Sequence, residues 1–149
     1  AAKRFPATWF VASNRNIPLA DNSADVLLSL FGFSAYGSFA RIMKPGATLV
    51  LVSAGPKHLI ELREIIYAAV KESQSTELEH AAQAGFTLQR SLNVEYVTEP
   101  LSKLALTQLL GMTPHLFRAS REGKEKLSEL ESLAVTVDVN FHLLAPPGE

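Results

Sequence analysis

The sequence predicts an α/β fold built on a mostly parallel sheet, and three observations carry that reading. Two apolar runs of strand length, at residues 25–31 and 48–53, are continuous rather than alternating. Strands covered by helices on both faces produce that pattern. Residues 57–71 place Leu59, Leu62, Ile65, Ile66, Ala69 and Val70 at three- and four-residue spacing, which marks an amphipathic helix. Val135, Val137, Val139, Phe141 and Leu143 alternate with Thr136, Asp138, Asn140 and His142. This is a half-buried last strand, long enough to sit as an antiparallel partner.

The remaining elements follow in chain order. Trp9 to Ala12 form a short apolar run ended by the polar Ser13, Asn14, Arg15 and Asn16, a buried strand running into a loop. Asp21, Asn22 and Ser23 form a turn before the strand at 25–31. Residues 36–43 suit about two helical turns, with Phe39, Ile42 and Met43 on one face. Lys44, Pro45 and Gly46 form the turn that opens the strand at 48–53. Residues 74–83 are polar and read as loop or weak helix. Gly85 and Phe86 introduce a strand at 92–98, residues 100–110 read as helix, and Gly111 is a natural stop. Thr113 is placed to cap a further helix with Pro114 at its first position. Residues 124–133 are helical, and Pro146, Pro147 and Gly148 make a disordered end.

The chain has 149 residues, 14 Lys and Arg against 15 Asp and Glu, and 47% hydrophobic residues, the size and balance of one ordinary soluble domain. Cysteine is absent, which excludes disulfides, thiolate zinc sites and cysteine nucleophiles. No apolar run approaches the roughly 20 residues that span a bilayer, and no signal peptide opens the chain, so a cytoplasmic protein with no membrane partner is expected. A net charge of -1 by itself points to no nucleic acid. Glycine-rich dinucleotide and phosphate loops, the serine-hydrolase elbow and helical zinc motifs are all missing. His58, His80, His115 and His142 are scattered, and no metal site is expected. Ligands of open α/β sheets bind beyond the carboxyl ends of strands, which nominates residues 12–15, 30–34 and 53–58.

Those loops carry a resemblance. Val11-Ala-Ser-Asn-Arg-Asn-Ile-Pro-Leu-Ala-Asp-Asn-Ser-Ala-Asp25, followed by Arg41-Ile-Met-Lys-Pro-Gly46, looks like the middle of a class I S-adenosylmethionine-dependent methyltransferase. Gly55-Pro-Lys-His-Leu-Ile-Glu-Leu62, Gly85-Phe-Thr-Leu-Gln89, Leu109-Leu-Gly-Met-Thr-Pro114 with Arg118, and Asp138-Val-Asn-Phe-His142 extend it. In that order they resemble the large-subunit rRNA (guanine-N1)-methyltransferases over essentially the whole chain. The resemblance implies S-adenosylmethionine as cofactor and methyl transfer to guanine N1 in a large-subunit rRNA hairpin. By position, Ala12, Ser13 and Asn14 would hold the cofactor with Leu30, and Leu30 and Phe31 would lie near its methyl. His58 and Phe31 are the candidate catalytic residues. Phe33, Lys57, Thr113, Pro114 and Arg118 would face the RNA, Arg118 on a phosphate or stacked on a base. Each position also has a plainer reading. Ala12, Ser13, Leu30 and Phe31 suit strand ends, His58 an exposed or capping side chain, and Thr113 to Arg118 a capped helix with a solvated arginine. For Asp138, Asn140 and His142 the plainer reading, a polar face with local hydrogen bonds, is preferred.

The departures from the family are equally informative. Its members open with a cysteine-rich zinc module, a first strand, a glycine-rich cofactor loop and a second strand ending in an acid. This sequence begins at a point that corresponds to the end of the following helix. The expected fold is therefore a partial Rossmann-like sheet lacking its first two strands, mostly parallel with an antiparallel last strand. Residues 1–149 are read as the carboxyl-terminal part of a catalytic domain, with a helical insertion at about 100–131 and impaired activity. The open sheet edge leads to an expected homodimer or a rearranged edge. Phe33 replaces the proline usual after the fourth strand, and Ala47 the second glycine of the turn. The alternatives are a small-molecule methyltransferase and a non-catalytic methyltransferase-like binding or assembly domain.

Overall fold

The computed structural model describes residues 6–67, 69–70 and 76–148. In chain order the elements are β1 (Ala24–Leu30), α1 (Tyr36–Ile42), β2 (Met43–Ala54), α2 (Ile60–Ile66), α3 (Glu77–Gln83) and β3 (Thr87–Val97). They continue with β4 (Leu101–Ser102), α4 (Lys103–Gly111), α5 (His115–Arg118), α6 (Arg121–Glu129), β5 (Ser132–Leu133) and β6 (Thr136–Ala145). One sheet has the order β1, β2, β6, β3, and β4 pairs with β5 in a separate antiparallel ribbon. The Thr98 N–H, just past the end of β3, donates to the Val135 carbonyl just before β6. The Gly55 N–H, just past the end of β2, donates to the Asp138 carbonyl near the start of β6. The last strand therefore runs antiparallel to both neighbours, as expected. The chain divides into two units: residues 1–51, 76–90 and 142–149, and residues 52–75 and 91–141.

In the first unit, Phe39, Ile42, Met43, Leu49, Leu51, Phe86 and Leu144 form the core. Tyr36 stacks its ring 5.6 Å from Phe86 and 6.2 Å from Phe39. Its hydroxyl donates to the Glu77 carbonyl at 2.9 Å, so one aromatic residue joins α1 to the start of α3. The turn expected at residues 44–46 lies inside β2, with Gly46 at φ 78 absorbing a bend that a side chain would resist. The polar stretch left open between loop and helix contains α3, and its residues 74 and 75 lie outside the described ones.

Residues 9–12, expected as a strand, are not one. Trp9 and Phe10 are about half exposed and Val11 fully so. A strand needs a neighbour for its backbone N–H and C=O groups, and β1 is the sheet's edge, with no ladder on its outer side among the described residues. The apolar run at 25–31 does form β1, yet Val26, Leu28 and Leu30, which share one face of the sheet, are exposed, while Ser29 on the other face is buried. The structure gives no support for the expected homodimer.

In the second unit, Leu59, Leu62, Ile66, Leu106, Leu110, Leu127 and Val135 make the core. Burying a leucine or isoleucine side chain contributes about 1.5–3 kcal/mol. The helix expected over 57–71 is shorter. Lys57 and His58 lie in a turn, Leu59 takes a left-handed conformation at φ 53, and Tyr67 is extended. Residues 68 and 71 of that expectation lie outside the described ones. The helix expected at 100–110 begins instead with β4, after which the Ser102 hydroxyl caps α4. The last strand of the ribbon takes the end of the segment expected as helix at 124–133. Thr113 does not cap α5: its hydroxyl donates back to the Leu110 carbonyl at 3.0 Å. Ser120 caps α6, accepting from the Gly123 N–H at 2.9 Å and donating to the Ile66 carbonyl at 3.2 Å. Strand β3, expected from residue 92, starts at Thr87. Leu92, Val94 and Tyr96 are about half exposed, where alternation predicts one buried face.

Gly123 is the contact point of α6 with α2, since a Cβ there would lie 2.5 Å from the Ile66 backbone. We expect Gly123→Ala to lower unfolding free energy by about 1–3 kcal/mol, the usual cost of overpacking, despite alanine's better helix propensity. Urea denaturation checks this; a stabilised variant would show that the helices separate freely.

Candidate functional site

The first unit carries a cleft of about 360 Å³ beside the carboxyl end of β1. Ala12, Ser13, Asn14 and Leu30, the four residues implied for the cofactor, all line it, with Leu28, Phe39 and Ile42 among its apolar walls. Sequence-distant segments meet here because polar contacts fold residues 13–22 back against β1 and α1. The Asn14 amide donates to the Phe33 carbonyl at 2.5 Å, and the Arg15 guanidinium lies 5.6 Å over the Phe33 ring. Arg41 at the end of α1 donates to the Leu19 and Ile17 carbonyls and pairs with Asp21. Phe31 turns the chain out of β1 at φ 51, uncommon for a bulky residue, and is 60% exposed; Phe33 is 66% exposed. Small residues opposite aliphatic side chains make a slot suited to a flat, largely apolar ring such as a purine.

The second unit holds a cavity of about 460 Å³. His58 and Arg118, both implied by the resemblance, line it together with Arg63, Tyr67 and His115, which sequence reasoning missed. Lys57, Thr113 and Pro114 are not among its lining residues. Lys57 points its ammonium at Glu95, 2.8 Å away, and this pairing raises its pKa. Pro114 sits at the N-cap of α5.

His58 is placed by β6. The Asp138 N–H donates to its Nδ1 at 3.3 Å. The Asp138 carboxylate accepts from the Lys57 N–H at 2.9 Å and from the Asn93 amide at 2.7 Å. Asp138 is only 2% exposed, and a Cβ on Gly55 would fall 2.2 Å from its carboxylate, so the loop packs on it through a bare backbone. The preferred reading of Asp138 as part of a polar face with local hydrogen bonds agrees with these contacts, and its burial makes it an anchor as well. Asn140 does belong to the local hydrogen-bond set, accepting from Asn93 at 3.0 Å.

On the cavity's other side the Tyr67 hydroxyl lies 2.6 Å from His115 Nδ1, with the two rings edge to face at 5.6 Å. Burial pushes the His115 pKa down, and Arg63, Arg118 and His58 push it further. Burial also lowers that of His58, against the pull of Asp138 and with a push from Arg63. The spacing of Arg63 and Tyr67, four residues apart within the helix expected over 57–71, was a helix-face signal for two of the missed residues, although Tyr67 itself lies just past α2. His115 had no local signal. No group of acids and histidines suited to a metal occurs among the described residues.

The comparisons with known proteins agree with this architecture. No protein-family model matches the chain. It is 34% identical over 137 residues to Bacillus subtilis (strain 168) YxjB, provisionally named a 23S rRNA (guanine-N(1)-)-methyltransferase. That alignment covers 89% of this chain and 48% of YxjB, so the chain spans about half the length of its curated relative. Among solved structures, a provisional type II methyltransferase from Anaeromyxobacter dehalogenans superposes at TM-score 0.58 and 16% identity, covering 98% of this chain and 75% of that one. A provisional methyltransferase from Bacillus halodurans C-125 superposes at 0.51 and 14%, covering 92% and 70%.

Folding should report the histidines' environment. A histidine whose folded pKa lies below the unfolded 6.5 binds fewer protons folded, so its stability contribution is present above 6.5 and lost as pH falls toward the folded value. The melting temperature is expected to drop between about pH 7.5 and 5. His58→Gln with His115→Gln should flatten that profile, leaving the smaller slope of His142, whose pKa burial also lowers. An unchanged profile in the double variant would contradict the assignment.

A four-stranded sheet with an antiparallel strand between β2 and β3 and the kinship with YxjB converge on one family, and the chain belongs to the class I S-adenosylmethionine-dependent methyltransferases.

Proposed function

We propose that this chain serves S-adenosylmethionine-dependent methyl transfer to N1 of a guanine in a large-subunit rRNA hairpin. The observation that carries it is the convergence of Ala12, Ser13, Asn14 and Leu30 on one cleft, supported by the name of the relative YxjB. The cleft suits the cofactor's adenine: aliphatic walls for its faces and small residues at the entrance. When bound, S-adenosylmethionine supplies an electrophilic methyl group on a sulfonium.

The chain's own residues then have definable tasks. Phe31 and Leu30 form the apolar surface at the end of β1 that keeps water from the methyl-bearing end. Phe33, with Arg15 against its ring, offers an aromatic face on which a base extruded from a hairpin loop can stack. The guanine N1 proton would pass to solvent, which leaves negative charge shared by N1 and O6, and that charge would be taken up as the N1–methyl bond replaces the methyl–sulfonium bond. A backbone N–H can only donate, so His58 Nδ1 accepts from Asp138 and the neutral ring keeps its proton on Nε2. His58 is therefore suited to act toward RNA as a hydrogen-bond donor rather than as a base. Lys57 and Arg118 supply charge for the RNA backbone, and Thr113 and Pro114 shape the turn that carries Arg118. A cytoplasmic location fits this substrate, and no described helix is long and apolar enough to cross a membrane.

Titration calorimetry of S-adenosylmethionine and S-adenosylhomocysteine into the 149-residue chain tests the reading. Dissociation constants of about 1–100 μM, about -8 to -5 kcal/mol, are expected, and Leu30→Arg should abolish binding by filling the cleft with a long cation that repels the sulfonium. Methylation of a large-subunit rRNA hairpin, read at guanine N1, follows. Absence of cofactor binding by the unaltered chain would overturn the proposal.

A further inference from the structure

We propose that the cavity of the second unit binds a phosphate carried on a nucleoside, with Arg118 on the anionic oxygens and the Tyr67 and His115 rings beside the base. The inference deepens the RNA reading above and rests on it for the source of the phosphate.

Its first support is the sign of the lining. Arg63 and Arg118 face the cavity beside the imidazoles of His58 and His115, whose pKa values burial lowers, and among the described residues no Asp or Glu does. A concave wall of one sign focuses its potential on whatever enters. The second support is how the charges are held. Arg63 on α2 donates to the Pro56 carbonyl at 2.8 Å, which fixes one positive group against the wall. Arg118, at the end of α5, has no hydrogen-bond or ion-pair partner among the described residues, so its planar fork is available to two oxygens of a phosphate.

The third support is size and surface. A bare phosphate would leave most of about 460 Å³ empty, whereas a nucleotide falls within the usual range of ligand pockets, roughly 300–1,000 Å³. The edge-to-face pair of Tyr67 and His115 gives that volume an aromatic side, the surface on which nucleic-acid bases stack. The Tyr67 hydroxyl is engaged with His115, which holds both rings in place.

The test is calorimetry on the 149-residue chain at low salt with three probes: inorganic phosphate, guanosine 5′-monophosphate and a large-subunit rRNA hairpin. The nucleotide and the hairpin should bind, phosphate much more weakly. Arg118→Gln should weaken both by at least about tenfold, as loss of one charge-assisted phosphate contact does. Arg118→Lys, which keeps the charge and loses the fork, should fall between. Circular dichroism and melting confirm folding, and the lysine variant decides should the glutamine variant not fold. A hairpin bound equally by all three proteins overturns the pocket and leaves the rRNA reading standing. Arg118-dependent nucleotide binding without hairpin binding upholds the pocket and overturns RNA as its source. Phosphate binding as tight as the nucleotide overturns the nucleoside part, and failure of every probe overturns the whole.

Discussion

A carboxylate at 2% exposure is costly to hold in a protein interior unless donors surround it, and Asp138 is held by donors of the loop it organises. The Lys57 N–H serves one oxygen and the Asn93 amide the other, while the backbone of the same residue donates to His58 and accepts from Gly55. The β2–α2 loop is thus located at three successive points by one residue of β6. Nothing larger than glycine could stand at position 55, because its side chain would occupy the space of the carboxylate. The orientation of His58, the place of the Pro56 carbonyl that holds Arg63, and hence half the wall of the neighbouring cavity follow from this one buried charge.

The first unit solves a different problem with similar means. Among the described residues its edge strand has no ladder on the outer side, so sheet hydrogen bonds do not position the segment before it. Arg41 takes over that task, donating to two carbonyls and a carboxylate of residues 17–21. An exposed ion pair is worth little in free energy, but a guanidinium that ties three points of a loop fixes geometry. The Asn14 contact with the Phe33 carbonyl closes the other end. Side-chain contacts therefore give the cleft of the first unit both of its walls.

Local pattern disclosed much of this and missed what depends on partners. The run at 25–31, the helix at 36–42 and the final alternating strand were legible because their periodicity is carried by neighbouring residues. The resemblance also put Ala12, Ser13, Asn14 and Leu30 together before any geometry was known. The exposure of Val26 and Leu28 was not legible, since it is decided by what covers their face of the sheet. Residues 9–12 look like a strand in isolation and lack the ladder that would make them one. Leu59 in a left-handed conformation shortened α2, and no pattern of apolar spacing shows that. His58 and His115 look scattered along the chain, and only the packing of the second unit brings them to one wall.

The distribution of acids in the second unit explains why its cavity is positive in a chain of net charge -1. Glu61 accepts from the N–H and hydroxyl of Thr136, Glu95 pairs with Lys57, and Asp138 binds the loop amide and Asn93. Each of these carboxylates is committed to a framework contact, and none lines the cavity. Lys57, the most obvious cation of the sequence motif, is matched by its own acid and contributes little field there. Both guanidiniums line the cavity, and with burial and His58 they push the His115 pKa down. A wall that combines fixed positive charge with uncharged imidazoles can accept an anion without protons having to move first. The polarity of this site is thus a consequence of how the surrounding strands and helices are held together.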